Sequence, residues 1–245
     1  MLDPGLLIGG RLFSGGTALS KQRSHSLHGR RLERIGPVGG KRQGRATLAF
    51  APHSGWAALV AVGGDGKGEP EVLVRTRLEM ADARLAGSKQ PYHDVEGLPL
   101  AEAERRLGRY REIATTKAQA AIRTTLEDLK KRGYIATTAG ILESSGRKGV
   151  SLASILASHA LIHTADGDHF RDALAEAGQR CELAIRRVRG KELLDQAARV
   201  LRKPTDRLQE SVRRLERPMG PPWGVDQKSA VLLAWLLLSG RPSNS

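Results

Sequence analysis

Tyr134-Ile135-Ala136-Thr137-Thr138-Ala139-Gly140-Ile141-Leu142 is a β-branched and apolar run that ends at the Ser144-Ser145-Gly146 turn, and it reads as a central strand. On its N-terminal side, Leu100, Ala103, Leu107, Tyr110, Ala114, Ala121, Ile122, Leu126 and Leu129 mark one stripe of a long helix that Gly133 ends. The opposite side of that helix carries Glu104, Arg105, Arg109, Arg111, Glu127, Lys130 and Lys131, the composition of a solvated face. On the C-terminal side, Leu152–Ala177 reads as helical, with Gly167 expected to kink or divide it. Leu183–Val188 follows as a short strand, and Glu192–Leu201 and Asp206–Leu215 as two helices parted by Pro204. Pro221-Pro222 then delivers the chain into a last apolar helix after Asp226.

Further upstream, Ala46–Ala51 and Trp56–Val62 are short apolar runs on either side of Pro52-His53-Ser54-Gly55, which reads as a hairpin turn. A second turn falls at Gly63–Gly68, where Asp65-Gly66 is the strongest signal. In Glu71–Met80 the residues Val72, Val74, Thr76 and Leu78 alternate with Arg75, Arg77 and Glu79, the period of a half-exposed strand. Asp82–Pro99 reads as a loop. Three strands in an antiparallel meander, followed by strand–helix alternation, predict one α/β domain over residues 46–240. Its sheet is expected to be mixed and five-stranded, the meander plus two parallel strands, with helices on its faces.

Composition bounds the function. The 245 residues carry a formal net charge of +14, and only 4% are aromatic, so the core must be filled by Leu, Val, Ile and Ala. Half of the excess charge sits in residues 1–45, where nine Lys/Arg face only Asp3 and Glu33 in a Gly/Ser/Arg-rich stretch with no apolar period. That segment is expected to be a disordered basic extension. A basic balance of this kind favours nucleic acid as a partner. The single Cys181 excludes an internal disulfide framework and fits a reducing cytosol. The longest apolar run, Ala230–Leu238, suits a buried helix rather than a bilayer, so no membrane role is expected.

The order of elements from Ala46 to Leu238 resembles the ribonuclease H-like superfamily, and within it the RuvC-type resolvases most nearly. The resemblance implies two divalent metals, Mg²⁺ or Mn²⁺, held by acids at the end of the first strand, the end of the fourth strand and the last helix. Two such ions clamp the attacking and leaving oxygens of a phosphodiester, and hard cations take carboxylate oxygens. Where the family's first strand runs into Asp-Pro-Gly-Ser, this chain has Ala51-Pro52-His53-Ser54, so Ala51 replaces the first acid. Glu143 corresponds to the fourth-strand acid and Asp226, or Ser229 in a shifted register, to the last. Segments Gly87–His93 and Ala157–Thr164 are separately similar to a small group of bacterial proteins, a likeness that supplies no function.

Other residue groups are candidates by chemistry alone. His159 and His163 stand four apart on a predicted helix, hence on one face, a spacing that chelates transition metals. The Glu that metalloprotease motifs place beside the first histidine is absent, Ala160 standing there, while Asp166, Asp168 and His169 lie within reach of the pair. A polar seam against the loop of Tyr92-His93 would account for both histidines equally well. Lys89, Tyr92 and His93 form a donor-rich loop suited to an anion or a sugar, with Lys228 as a further contributor. Against these stand plainer roles: Asp226 as a helix cap, Glu143 as a solvated residue and His53 as a turn residue. Two expectations follow. The first is a degenerate ribonuclease H-like domain that binds nucleic acid or a protein partner in a bacterial cytosol. The second is a metal-dependent nuclease or hydrolase whose catalytic and metal-binding residues are drawn from Glu143, Asp226, His159 and His163, with His53 and His93 in support.

Overall fold

The computed structural model describes residues 43–144, 149–216 and 220–240. Residues 1–42 of the expected basic extension, and Ser145-Gly146 of the expected turn, lie outside the described residues. Five strands form one sheet: β1 (Gly44–His53), β2 (Trp56–Gly64), β3 (Glu71–Glu79), β4 (Tyr134–Glu143) and β5 (Ala184–Arg189). Their order is β3-β2-β1-β4-β5. The first three are antiparallel neighbours, while β4 runs parallel to both β1 and β5. This is the mixed sheet that the ribonuclease H-like resemblance implies, with β4 in its interior.

Side chains alternate across each strand, so the sheet has two apolar faces. On one face Leu48, Phe50 and Ile141 pack with Ala118 and Ile122 of α2 (Leu100–Lys131) and with Phe170 and Leu174 of α4 (His159–Arg180). On the other face Ala49, Ala51, Val60 and Val62 meet Leu233, Trp235 and Leu236 of α7 (Val225–Ser239). Leu193 of α5 (Gly190–Leu201) and Leu208 and Val212 of α6 (Thr205–Arg214) close that layer. Helix α7 can approach β4 only because residue 140 is glycine: a Cβ there would lie 2.6 Å from Leu233 Cγ. Among the described residues no helix is long and apolar enough to cross a membrane.

Three local readings change in the structure. The hairpin turn is Ser54-Gly55 alone, with Gly55 at φ +84°, because Pro52 and His53 still pair with Ala57 and Trp56. Proline is tolerated in β1 because pairing with β4 ends at Phe50↔Ile141, leaving Pro52 a partner strand on one side only. The stretch read as a loop contains a one-turn helix, α1 (Pro91–Asp94), with proline at its start, where a missing N–H costs nothing. Finally, Leu152–Ala177 divides at Ala157-Ser158 rather than at Gly167, giving α3 (Leu152–Leu156) and α4. The Ser151 hydroxyl caps α3 by accepting from the Ser154 N–H at 3.2 Å, and Ser158 is extended before α4 begins. Gly167 sits inside α4, where a Cβ would press on the Arg171 guanidinium at 2.7 Å. Its absence lets that side chain fold back onto the Leu142 carbonyl, to which Arg171 Nε donates at 3.2 Å.

Candidate functional site

In open α/β sheets, ligands gather at the carboxyl ends of parallel strands, which here are the ends of β1, β4 and β5. The candidate residues cluster there, divided between the two faces of the sheet. On the α7 face, His53 at the end of β1 bonds Asp226 in the first turn of α7, Nε2 to Oδ2 at 3.0 Å. The His53 ring stacks on Trp56 at 4.3 Å and 6° between planes. From the far side of β2, the Arg77 guanidinium lies 3.8 Å from the centre of the Trp56 ring and also bonds Glu79. Lys89 packs against the hairpin turn between His53 and Trp56: a Cβ on Gly55 would meet Lys89 Cγ at 3.2 Å. Asp226 does not cap α7. Gly224 takes that position, and its N–H donates to Gln227 Oε1 at 2.9 Å.

Glu143 points the other way. Leu142 packs into the α7 layer, so the next residue turns toward α4. There Glu143 Oε1 accepts from Arg187 Nη1 at 2.6 Å, and Arg187 Nη2 reaches Asp172 Oδ1 of α4 at 2.9 Å. Burial works against the Arg187 charge, but the bonds to Glu143 and Asp172 outweigh it and raise the guanidinium pKa above its usual value. Glu143 and Asp226 therefore project from opposite faces of the sheet. On the face that carries Asp226, the ends of β1 and β4 present Ala51 and Leu142, both apolar. Among the described residues, the group of three or more His, Cys, Asp and Glu side chains within mutual ligating reach is His93, His159 and His163, not a set of carboxylates.

A cleft of about 400 Å³ opens on the α4 side, lined by Glu143, Asp168, Asp172, Arg187, His169 and Tyr92 together with apolar residues of α3 and α4. Its polar groups are neutralised within the chain. Asp168 accepts from the Ser144 hydroxyl at 3.0 Å and from Arg171 at 3.3 Å. His169 is buried, and burial, followed by the nearby Arg111 charge, lowers its pKa to about 4, so it is a neutral imidazole. Burial likewise raises the pKa of the Tyr92 phenol. Asp166, 2% exposed, is the buried anchor of this region. Its Oδ1 accepts from the Tyr92 N–H at 2.7 Å, and its Oδ2 meets His93 Nδ1 at 2.5 Å. Burial raises the Asp166 pKa, with those two bonds opposing the shift.

The structure thus unites His93 with His159 and His163, whose rings cluster with centroids 4.5–5.4 Å apart. It does not unite Glu143 with Asp226. Lys89 stands at the hairpin tip rather than with Tyr92 and His93, and Lys228 lines a separate groove between α5, α6 and α7. Sequence reasoning overlooked Trp56, Arg77, Arg187 and Asp172. Arg187 carried a signal, since a half-buried arginine next to buried Val188 in a strand needs a carboxylate partner.

No family model matches the chain, and no curated protein matches it. Among solved structures the chain is similar to Thermus thermophilus RuvC, at 12% identity and a TM-score of 0.44, covering 78% of this chain and 92% of that one. It is also similar to T. thermophilus RuvC in complex with Holliday junction substrate, at 12% identity and a TM-score of 0.45, covering 78% of this chain and 91% of that one. The strand order and strand directions agree with the mixed sheet that the sequence resemblance implies.

Proposed function

We propose that this domain binds nucleic acid without hydrolysing it. The observation that carries the reading is the His53–Trp56–Arg77 stack, with Lys89 against the adjoining hairpin turn, standing where a phosphodiester nuclease would need converging carboxylates. An imidazole stacked on an indole, with a guanidinium 3.8 Å from the indole centre, presents planar rings beside a fixed positive charge, which suits stacking with bases and pairing with phosphates. The net charge of +14 adds a long-range attraction that salt weakens. The acids of the region are turned inward, Asp226 onto His53 and Glu143 onto Arg187, and so support positioning rather than Mg²⁺ or Mn²⁺ chemistry. The single Cys181 supports a cytosolic setting for this role.

The test is fluorescence anisotropy of the full chain with labelled single-stranded DNA, duplex DNA and RNA at low and moderate salt. Binding should fall steeply with added salt. Trp56→Ala and Arg77→Ala should each weaken it by roughly tenfold or more, the scale of a lost stacking contact. Two results would overturn the reading. One is undetectable binding to every nucleic acid at low ionic strength. The other is affinity that ignores both substitutions, which would move binding to another surface. Mg²⁺-dependent cleavage abolished by Asp226→Asn would establish the nuclease reading in its place.

A further inference from the structure

The three-histidine cluster lies outside the stack proposed to bind nucleic acid, and its geometry stands independently of that reading. We propose that His93, His159 and His163 bind one Zn²⁺ ion through three imidazole nitrogens, with water at the fourth position.

The donors come from two elements fixed against each other. His159 and His163 occupy successive turns of α4, and their Nε2 atoms are 3.1 Å apart. His93 comes from α1, and the candidate ligand atoms of all three rings lie within 4.8 Å of one another. With Zn–N bonds of about 2.0–2.1 Å, tetrahedral ligands sit roughly 3.3–3.4 Å apart, so small rotations of the rings complete the geometry. Rotation is available, because His159 and His163 are exposed.

The arrangement around His93 is that of a prepared ligand. An ionised carboxylate only accepts hydrogen bonds, so the contact of His93 with Asp166 Oδ2 places the proton on His93 Nδ1 and leaves the Nε2 lone pair available to a metal. A carboxylate behind a metal-ligating histidine sets its tautomer and raises its basicity. Asp166 is itself held by the Tyr92 N–H at 2.7 Å, which docks α1 onto α4. Burying that carboxylate is costly, and a role in orienting a ligand accounts for its presence. The facing nitrogens of His159 and His163 agree with this: in the absence of an ion, one must donate to the other, whereas a shared cation satisfies both. An all-imidazole donor set selects zinc and its transition-metal neighbours over Mg²⁺ or Ca²⁺, which take oxygen.

The experiment uses the full chain, stripped with chelator and titrated with Zn²⁺ against a chromogenic competitor, with Co²⁺ absorption as a spectroscopic report of coordination. We expect one ion per chain, not displaced by excess Mg²⁺, and visible Co²⁺ bands typical of a low-coordinate nitrogen site. Asp166→Asn should weaken binding by roughly 10–100-fold, as loss of an orienting carboxylate does. His159→Gln and His163→Gln, at exposed positions that leave the core intact, should weaken it more and abolish the Co²⁺ bands. The proposal is overturned if the wild-type chain fails to bind Zn²⁺ at micromolar concentration. It is equally overturned if the His159→Gln/His163→Gln double variant binds as the wild type does, since other histidines would then be the ligands. Oligonucleotide affinity measured in parallel should be unchanged in these variants, which separates failure of this site from failure of the binding surface.

Discussion

Trp235→Ala should lower the unfolding free energy by about 3–5 kcal/mol, the cost of truncating a buried aromatic side chain. Trp235 is 1% exposed and sits in the middle of α7, within the layer that packs on Ala49, Ala51, Val60 and Val62. Its indole N–H donates to the Gly68 carbonyl at 3.1 Å, so the side chain also holds the β2–β3 connection against the helix. Small residues on the facing strands cannot expand to fill the space, and the cavity should persist. Urea unfolding monitored by circular dichroism checks this: the midpoint should fall while the slope stays nearly constant. Trp235→Phe, which keeps most of the bulk but loses the bond to the exposed Gly68, should cost only about 1–2 kcal/mol. Equal losses in the two variants would show that the hydrogen bond, and not packing, anchors α7. Because α7 also presents Asp226 to His53, the Ala variant should in addition loosen the surface proposed to hold nucleic acid.

The second large effect is acid sensitivity. His169 is 2% exposed, and its Nε2 finds no partner. Burial, followed by the Arg111 charge, holds its pKa at about 4. In the unfolded chain the same imidazole titrates near 6.5, so as pH falls from about 6.5 to 4 the unfolded state takes up a proton that the folded state refuses. Stability should therefore decline through that window, by about 3 kcal/mol when it is crossed completely. Asp166 acts in the opposite sense: its pKa is raised by burial, so the folded state holds that proton more tightly and recovers some stability as pH falls through the raised value. Urea midpoints of chelator-treated protein at pH 7, 5.5 and 4.5, compared with those of His169→Phe, isolate the histidine. The variant should show a visibly shallower decline. An identical decline in both proteins would mean that His169 does not enter the fold as a neutral group.

Much of this architecture was legible from local pattern. The β-branched and apolar run Tyr134–Leu142 announced an interior strand, and Ala230–Leu238 announced a buried helix. The i, i+4 spacing of His159 and His163 likewise announced a shared face. Other features depended on contacts between distant segments. That His93 joins the pair follows from α1 docking through Asp166, whose role no spacing reveals. The helix boundary at Ser158 was obscured because Gly167 looked the weaker point, whereas its bare Cα in fact makes room for Arg171.

The contrast is sharpest for Glu143 and Asp226. Sequence alone determined that one ends the fourth strand and the other opens the last helix, because strand and helix periods are local properties of the chain. Only the tertiary structure decided that they face away from each other. Strand side chains alternate with a period of two, so which face a terminal residue joins depends on the packing of its neighbour, here Leu142 against α7. Each acid then took the partner that its own face offered, Arg187 for Glu143 and His53 for Asp226, because a carboxylate leaving bulk water is stabilised by the nearest donor brought to it by folding.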